Sequence, residues 1–131
     1  MDIALAEALT PVLRDLQDSG SVIPEVRDDQ WSDVEGQLTA MLVSPDGTGQ
    51  GVSVMTGESM VERIAAVADQ VQEWAVEELC AVGRPTNWPQ CPLHPGSHPV
   101  SAVVRDGRAL WICPATRRPV SEIGQLGRPP G

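Results

Sequence analysis

The stretch SMVERIAAVADQVQEWAVEELCAVG, residues 59–83, decides the architecture. Ser59 and Glu62 form the Ser-x-x-Glu capping box, in which each residue satisfies a free backbone donor at a helix start. Behind it Val61, Ile64, Ala68, Val71, Ala75, Leu79 and Val82 recur at helical spacing, and Val67, Trp74 and Cys80 widen the stripe. Gly83 supplies a left-handed stop. The pattern predicts a helix of about 23 residues, roughly 35 Å long. Glu62, Asp69, Gln72, Glu73 and Glu77 fall on its opposite side, and Cys80 reads as a core residue. So wide an apolar face must be covered on more than one side. The cover can come from a sheet, another helix, the C-terminal segment or a second subunit.

Toward the N-terminus, Leu5, Leu9, Val12, Leu13 and Leu16 predict a helix over Asp2 to Asp18, stopped by Gly20. Pro11 either kinks this helix or, with Thr10 as cap, opens a second one. A short strand is expected over Val22 to Val26, broken by Pro24. Glu25, Asp28, Asp29 and Asp33 lack calcium-loop spacing and read as a solvated loop. Residues 35–56 predict a hairpin. Leu38 to Val43 is a strand apolar on both faces, Ser44-Pro45-Asp46-Gly47 is the turn, and Val52 to Met55 returns. Gly47, Gly49 and Gly51 lack the Lys-Ser/Thr of a phosphate loop and read as a hairpin turn with a bulge.

Toward the C-terminus the chain carries its chemistry. Cys91-Pro92-Leu93-His94-Pro95-Gly96-Ser97-His98 precedes a hairpin of Val100 to Arg105 and Ala109 to Cys113, turned by Asp106-Gly107. The spacing is Cys-x2-His-x3-His-x14-Cys. Thiolate sulfur and imidazole nitrogen are the donors zinc takes tetrahedrally. Two residues between Cys91 and His94 suit a tight knuckle, and the hairpin returns Cys113 to it. Cys91, His94, His98 and Cys113 are therefore the expected ligands of a structural Zn2+, with Cys80 or water as the alternative to His98, and Trp88 and Trp111 as a water shield. No His-Glu-x-x-His or Gly-x-Ser-x-Gly occurs, and Asp106 and Glu122 are the only acids after residue 83, so no catalytic residue is assigned.

This segment, about a third of the chain, resembles a zinc ribbon, with a Cys-Pro-x-His knuckle and a Trp-x-Cys-Pro return strand. It departs from one at Thr116, where a second knuckle would place Cys or His. The element order α-β-β-β-α-β-β and the acidity resemble the type III secretion chaperone-like fold. That likeness implies a small acidic dimer holding partner proteins, and a last hairpin that joins the first sheet.

Composition bounds the rest. All nine basic residues are Arg and there is no Phe or Tyr, a coding bias of a GC-rich genome rather than an adaptation. The net charge is −9, and it is uneven. Residues 1–83 hold 16 acids against 3 Arg, and residues 84–131 hold 2 acids against 6 Arg. No 18-residue apolar run spans a membrane. Three cysteines and a start without a basic leader predict a reduced, cytoplasmic setting. The expected class is α+β, an antiparallel sheet packed by the long helix. Residues 1–83 form an acidic core, 84–123 a zinc-clipped hairpin and 124–131 a flexible tail. The expected function is a non-enzymatic protein-interaction, adaptor or chaperone-like module with a protein partner or as a homodimer. Nucleic-acid regulation through Arg105, Arg108, Arg117 and Arg118 is the alternative, and a metal-dependent hydrolase is less favoured.

Overall fold

The computed structural model describes residues 1–19 and 22–127. The expected stop at Gly20 and residues 128–131 of the tail lie outside them. The chain is α+β, as its patterns predict. Its order is α1 (Ile3–Asp18), β1 (Glu25–Asp28), β2 (Gln37–Val43), β3 (Gly49–Met55), α2 (Met60–Ala81), β4 (Ser101–Arg105), β5 (Arg108–Ile112) and β6 (Pro119–Glu122). The strands form two antiparallel sheets, β1-β2-β3 and β4-β5-β6.

α2 begins where Ser59 Oγ accepts from the Glu62 amide at 3.2 Å, the forward half of the capping box. It ends with the Arg84 amide on the Leu79 carbonyl and the Gly83 amide on the Cys80 carbonyl, at 2.9 and 3.1 Å. Gly83 has φ 71°, the left-handed turn that this double bond requires. Val67, Ala68, Val71, Trp74, Ala75 and Leu79 are buried, and α1, β3, β4 and β5 all pack against this helix. The middle of the stripe is thus covered from within the chain, while Val61 and Ile64 toward its start are half-buried and Val82 at its end is exposed.

Two glutamines show how one helix serves both sheets. Gln70 accepts from the Ser53 amide at 2.9 Å and donates to the Ser53 carbonyl at 2.8 Å. It thereby closes the free edge of β3 as a neighbouring strand would. Gln72 donates to the carbonyls of Val100 and Trp88 at 2.6 and 3.2 Å. Two helical residues project about 200° apart, so the pair reaches opposite ways. The sequence pattern had set Gln72 among the solvent-facing acids; it is half-buried and crosses to the second sheet. The last hairpin does not join the first sheet. It pairs instead with β6, a strand too short to signal itself in sequence. Pro119 stands at its first position, where a missing N–H is tolerated.

Three further points differ from the sequence reading or settle it. α1 is one continuous helix with Pro11 inside, and Thr10 caps nothing, since its hydroxyl donates back to the Ala6 carbonyl at 2.9 Å. The first strand starts after Pro24, not before it. Cys80 is exposed, because one step past Leu79 turns about 100° off the buried stripe.

The acids of α1 are not all on its outer side. Asp15 lies in the buried stripe with Leu5, Leu9, Val12 and Leu16, and is fully enclosed. Its Oδ2 accepts from Trp111 Nε1 at 2.8 Å and from the Gly124 amide at 2.7 Å, and its Oδ1 from the Leu126 amide at 3.0 Å. Gly124 takes φ 102°, and a Cβ there would stand 2.8 Å from the Pro11 Cβ, so only glycine fits. The burial of Asp15 pushes its pKa above the usual 3.8, against the pull of the three N–H donors.

Replacing Asp15 by Ala leaves three enclosed donors without an acceptor and should cost about 3 kcal/mol or more in urea unfolding. The pH dependence has a definite sign. A folded-state pKa above the unfolded one means that the folded chain holds this proton more tightly. Asp15 therefore favours folding most below 3.8, and this contribution is lost as pH rises through the folded pKa. Against Asp15→Asn, which does not titrate, the wild-type chain should gain relative stability as pH falls from about 7 toward 4. Parallel stability curves over that range would refute this.

Candidate metal centre

The cluster stands on two turns. The loop from Gln90 to Pro99 is pinned at its base by a bridge between those residues, by the Cys91 amide on the His98 carbonyl (3.3 Å) and by the Val100 amide on the Pro89 carbonyl (2.8 Å). Inside it the His94 amide donates to the Cys91 carbonyl at 3.3 Å, and the Ser97 amide to the His94 carbonyl at 3.1 Å. The second turn follows β5. There the Arg117 amide donates to the Cys113 carbonyl at 2.7 Å, and the Cys113 amide to the Arg118 carbonyl at 2.9 Å. Asp106 and Gly107, with φ 52° and 71°, form the two-residue hairpin turn that places Ser101 opposite Ile112. This register brings Cys113 back beside the loop.

Cys91, His94, His98 and Cys113 meet there, with their donor atoms within 4.8 Å of one another. His94 Nδ1 lies 3.8 Å from Cys91 Sγ, 3.5 Å from Cys113 Sγ and 3.1 Å from His98 Nε2, which is 3.9 Å from Cys113 Sγ. An ion with bonds of about 2.3 Å to sulfur and 2.0 Å to nitrogen has tetrahedral edges of about 3.5 Å between S and N and about 3.3 Å between two N. These four edges match within about 0.4 Å, and with all donor atoms within 4.8 Å of one another the group could hold one metal ion.

The surroundings bear on two of the donors, His98 and Cys113. His98 Nδ1 stands 3.0 Å from the Pro99 carbonyl and so must donate to it, which leaves the lone pair of Nε2 facing the cluster. Burial raises the Cys113 thiol, but hydrogen bonds from the Thr116 hydroxyl, the Thr116 and Ala115 amides and Cys91 outweigh it and bring the pKa down to about 6. Cys113 is thus a thiolate near neutral pH. Cys91 and Cys113 are fully buried and both histidines half-buried, so the cluster's sulfur side is closed and its imidazole side borders solvent.

All four candidates from the sequence are brought together, and His98 rather than Cys80 completes the group. Thr116, a departure from a zinc ribbon, supports the Cys113 sulfur instead of ligating. The sequence reading did not assign it this role, although a Cys-Pro-x-Thr turn aims its amides back at the sulfur. Trp88 and Trp111 turn their N–H groups to α1, where Trp88 Nε1 donates to Ser19 Oγ at 2.8 Å. Among the described residues no carboxylate belongs to the cluster: Glu122 pairs with Arg108 at 2.8 Å, and Asp106 is in the hairpin turn. No family model, curated protein or solved structure matches the chain.

Elemental analysis of the chain purified without added metal should find about one metal ion per chain. A ratio near zero, with no uptake on titration, would refute the site. Cys91→Ser and Cys113→Ser should each lower the melting temperature markedly, while Cys80→Ser, on an exposed surface, stays within about 0.5 kcal/mol of wild type.

Proposed function

We propose that the chain is a small non-enzymatic adaptor or chaperone-like module built on a structural zinc ion. The observation that carries this reading is the closed donor set. Two thiolates and two imidazoles at tetrahedral spacing suit zinc better than the oxygen-loving cations, and they leave no position for a substrate or a water. With two thiolates cancelling its charge and no carboxylate beside it, such an ion is a poor Lewis acid, which argues against the hydrolase reading. Thiolate ligation fits a reducing compartment such as the cytoplasm, and no described helix is long and apolar enough to cross a membrane.

Two features support a protein partner, whether another chain or a second copy. Asp69, Glu73 and Glu77 stand exposed one turn apart on α2 with no cation paired to them among the described residues, although like charges at this spacing weaken a helix. Trp31 is 42% exposed and is held rigid by its Nε1 on the Ala40 carbonyl at 2.9 Å, the kind of aromatic anchor that interfaces use. The nucleic-acid alternative draws less support. Arg108 is paired with Glu122 and Arg105 Nη1 donates to the Arg117 carbonyl, at 2.8 Å each, and the chain as a whole carries net −9.

Native mass spectrometry of the chain recovered from its own cells should show zinc and a protein partner, or a second copy, at fixed ratio. Duplex DNA at about 0.15 M salt should bind weakly and release as salt rises. A bare monomer in the first experiment, or a tight sequence-dependent DNA complex in the second, would overturn the proposal. Arg117→Glu with Arg118→Glu would then locate the DNA contact.

A further inference from the structure

We propose that the metal ion is a latch: its release lets the segment from Asn87 to Leu126 swing off the C-terminal ends of α1 and α2 and uncovers an apolar surface. This deepens the structural-metal reading and rests on it.

The two arms that reach the cluster are also the two that dock on α1. Trp88 lies three residues before Cys91 and Trp111 two before Cys113, and both indoles end on the last turn of α1. Trp88 Nε1 donates to Ser19 Oγ and Trp111 Nε1 to Asp15 Oδ2, each at 2.8 Å. The rings meet edge to face, with centroids 5.8 Å apart and planes at 80°. An ion that ties Cys91 to Cys113 holds these arms at one fixed separation, so the pair of tryptophans reaches its two acceptors together. Without the ion each arm keeps only its own contacts.

The seam that would open is incompletely packed. A cleft of about 410 Å³ runs between Ser19, Leu79, Arg84, Trp88 and Leu126. Asn87 lines this cleft as well, and neither the nitrogen nor the oxygen of its enclosed carboxamide has a partner within the chain. Such pairs are rare in folded proteins because an enclosed polar group without a partner is costly. Closure of the seam creates this cost and opening relieves it. Asp15 and Gln72 oppose opening, so the closed form needs only a modest further bias, which an ion bound to that form alone provides. The half-buried histidines give the ion a route out, and the residues uncovered, Trp88, Trp111, Val100 and Leu79, are now at most 5% exposed.

Hydrogen exchange of the full chain, zinc-loaded and after EDTA, tests the latch. EDTA should speed exchange by about tenfold or more in residues 88–126 and the last turn of α1, and leave β2 and β3 unchanged. Uniform loss of protection across the chain, or a loaded ion whose removal changes nothing, would overturn the latch while leaving the metal reading intact. Absence of any bound zinc would end both. Linkage supplies a second measurement, because whatever favours the closed seam tightens the metal. Asn87→Leu removes the unpaired amide at similar size and should bind zinc about fivefold tighter in competition with a chromophoric chelator. Equal or weaker binding would count against the latch.

Discussion

Neither three-stranded sheet of this chain covers its own apolar face, and both faces turn to the same helix. A sheet this small gains independent stability only by packing on something else. α2 provides that support for both, with α1 along its remaining side. The buried residues of the two halves accordingly form one cluster, from Leu5 and Ala40 through Val71 to Trp111 and Ile123. The side chains that flank this apolar contact fix its angle. Gln70 takes the backbone edge of β3 and Gln72 takes the carbonyls that lead into β4, so rotation of α2 would break bonds on both sides at once.

The second sheet needs a further tie because its strands are only four or five residues long. Asp15 supplies one end of it. A carboxylate enclosed on a helix is unfavourable alone, yet three N–H donors drawn from β5 and the segment after β6 converge on it. The Cys/His cluster lies at the other end, where the loop before β4 meets the turn after β5, and a metal ion held there would join the two. Such a cross-link would share with Asp15 a task that a larger apolar core performs in a bigger domain.

The charge pattern follows the same division. Acids gather on the half that packs by apolar contact, and among them Asp15 is the one that is fully buried. The arginines of the C-terminal half are partly used within it, as Arg105 and Arg108 show. The chain as a whole stays acidic, at net −9.

What the sequence alone determined is local. The stripe and caps of residues 59–83 define α2, Ser44 to Gly47 and Asp106-Gly107 define the hairpins, and Cys91, His94, His98 and Cys113 define the metal group. Each of these is legible because neighbours in sequence make the interaction, or because a two-residue turn returns the chain to itself. Tertiary structure decided what no local pattern encodes. Asp15 reads as one more acid on an amphipathic helix until Trp111 and Gly124, about a hundred residues away, arrive to bond it. Gln72 reads as solvent-facing and Cys80 as core because periodicity gives the width of a stripe but not which elements flank it. The last hairpin forms a sheet with β6 rather than with the first three strands, and that pairing is invisible in the hairpin's own sequence. Hydrogen bonds between distant segments depend on which surfaces come to face each other, and that is settled only when both sheets compete for one helix.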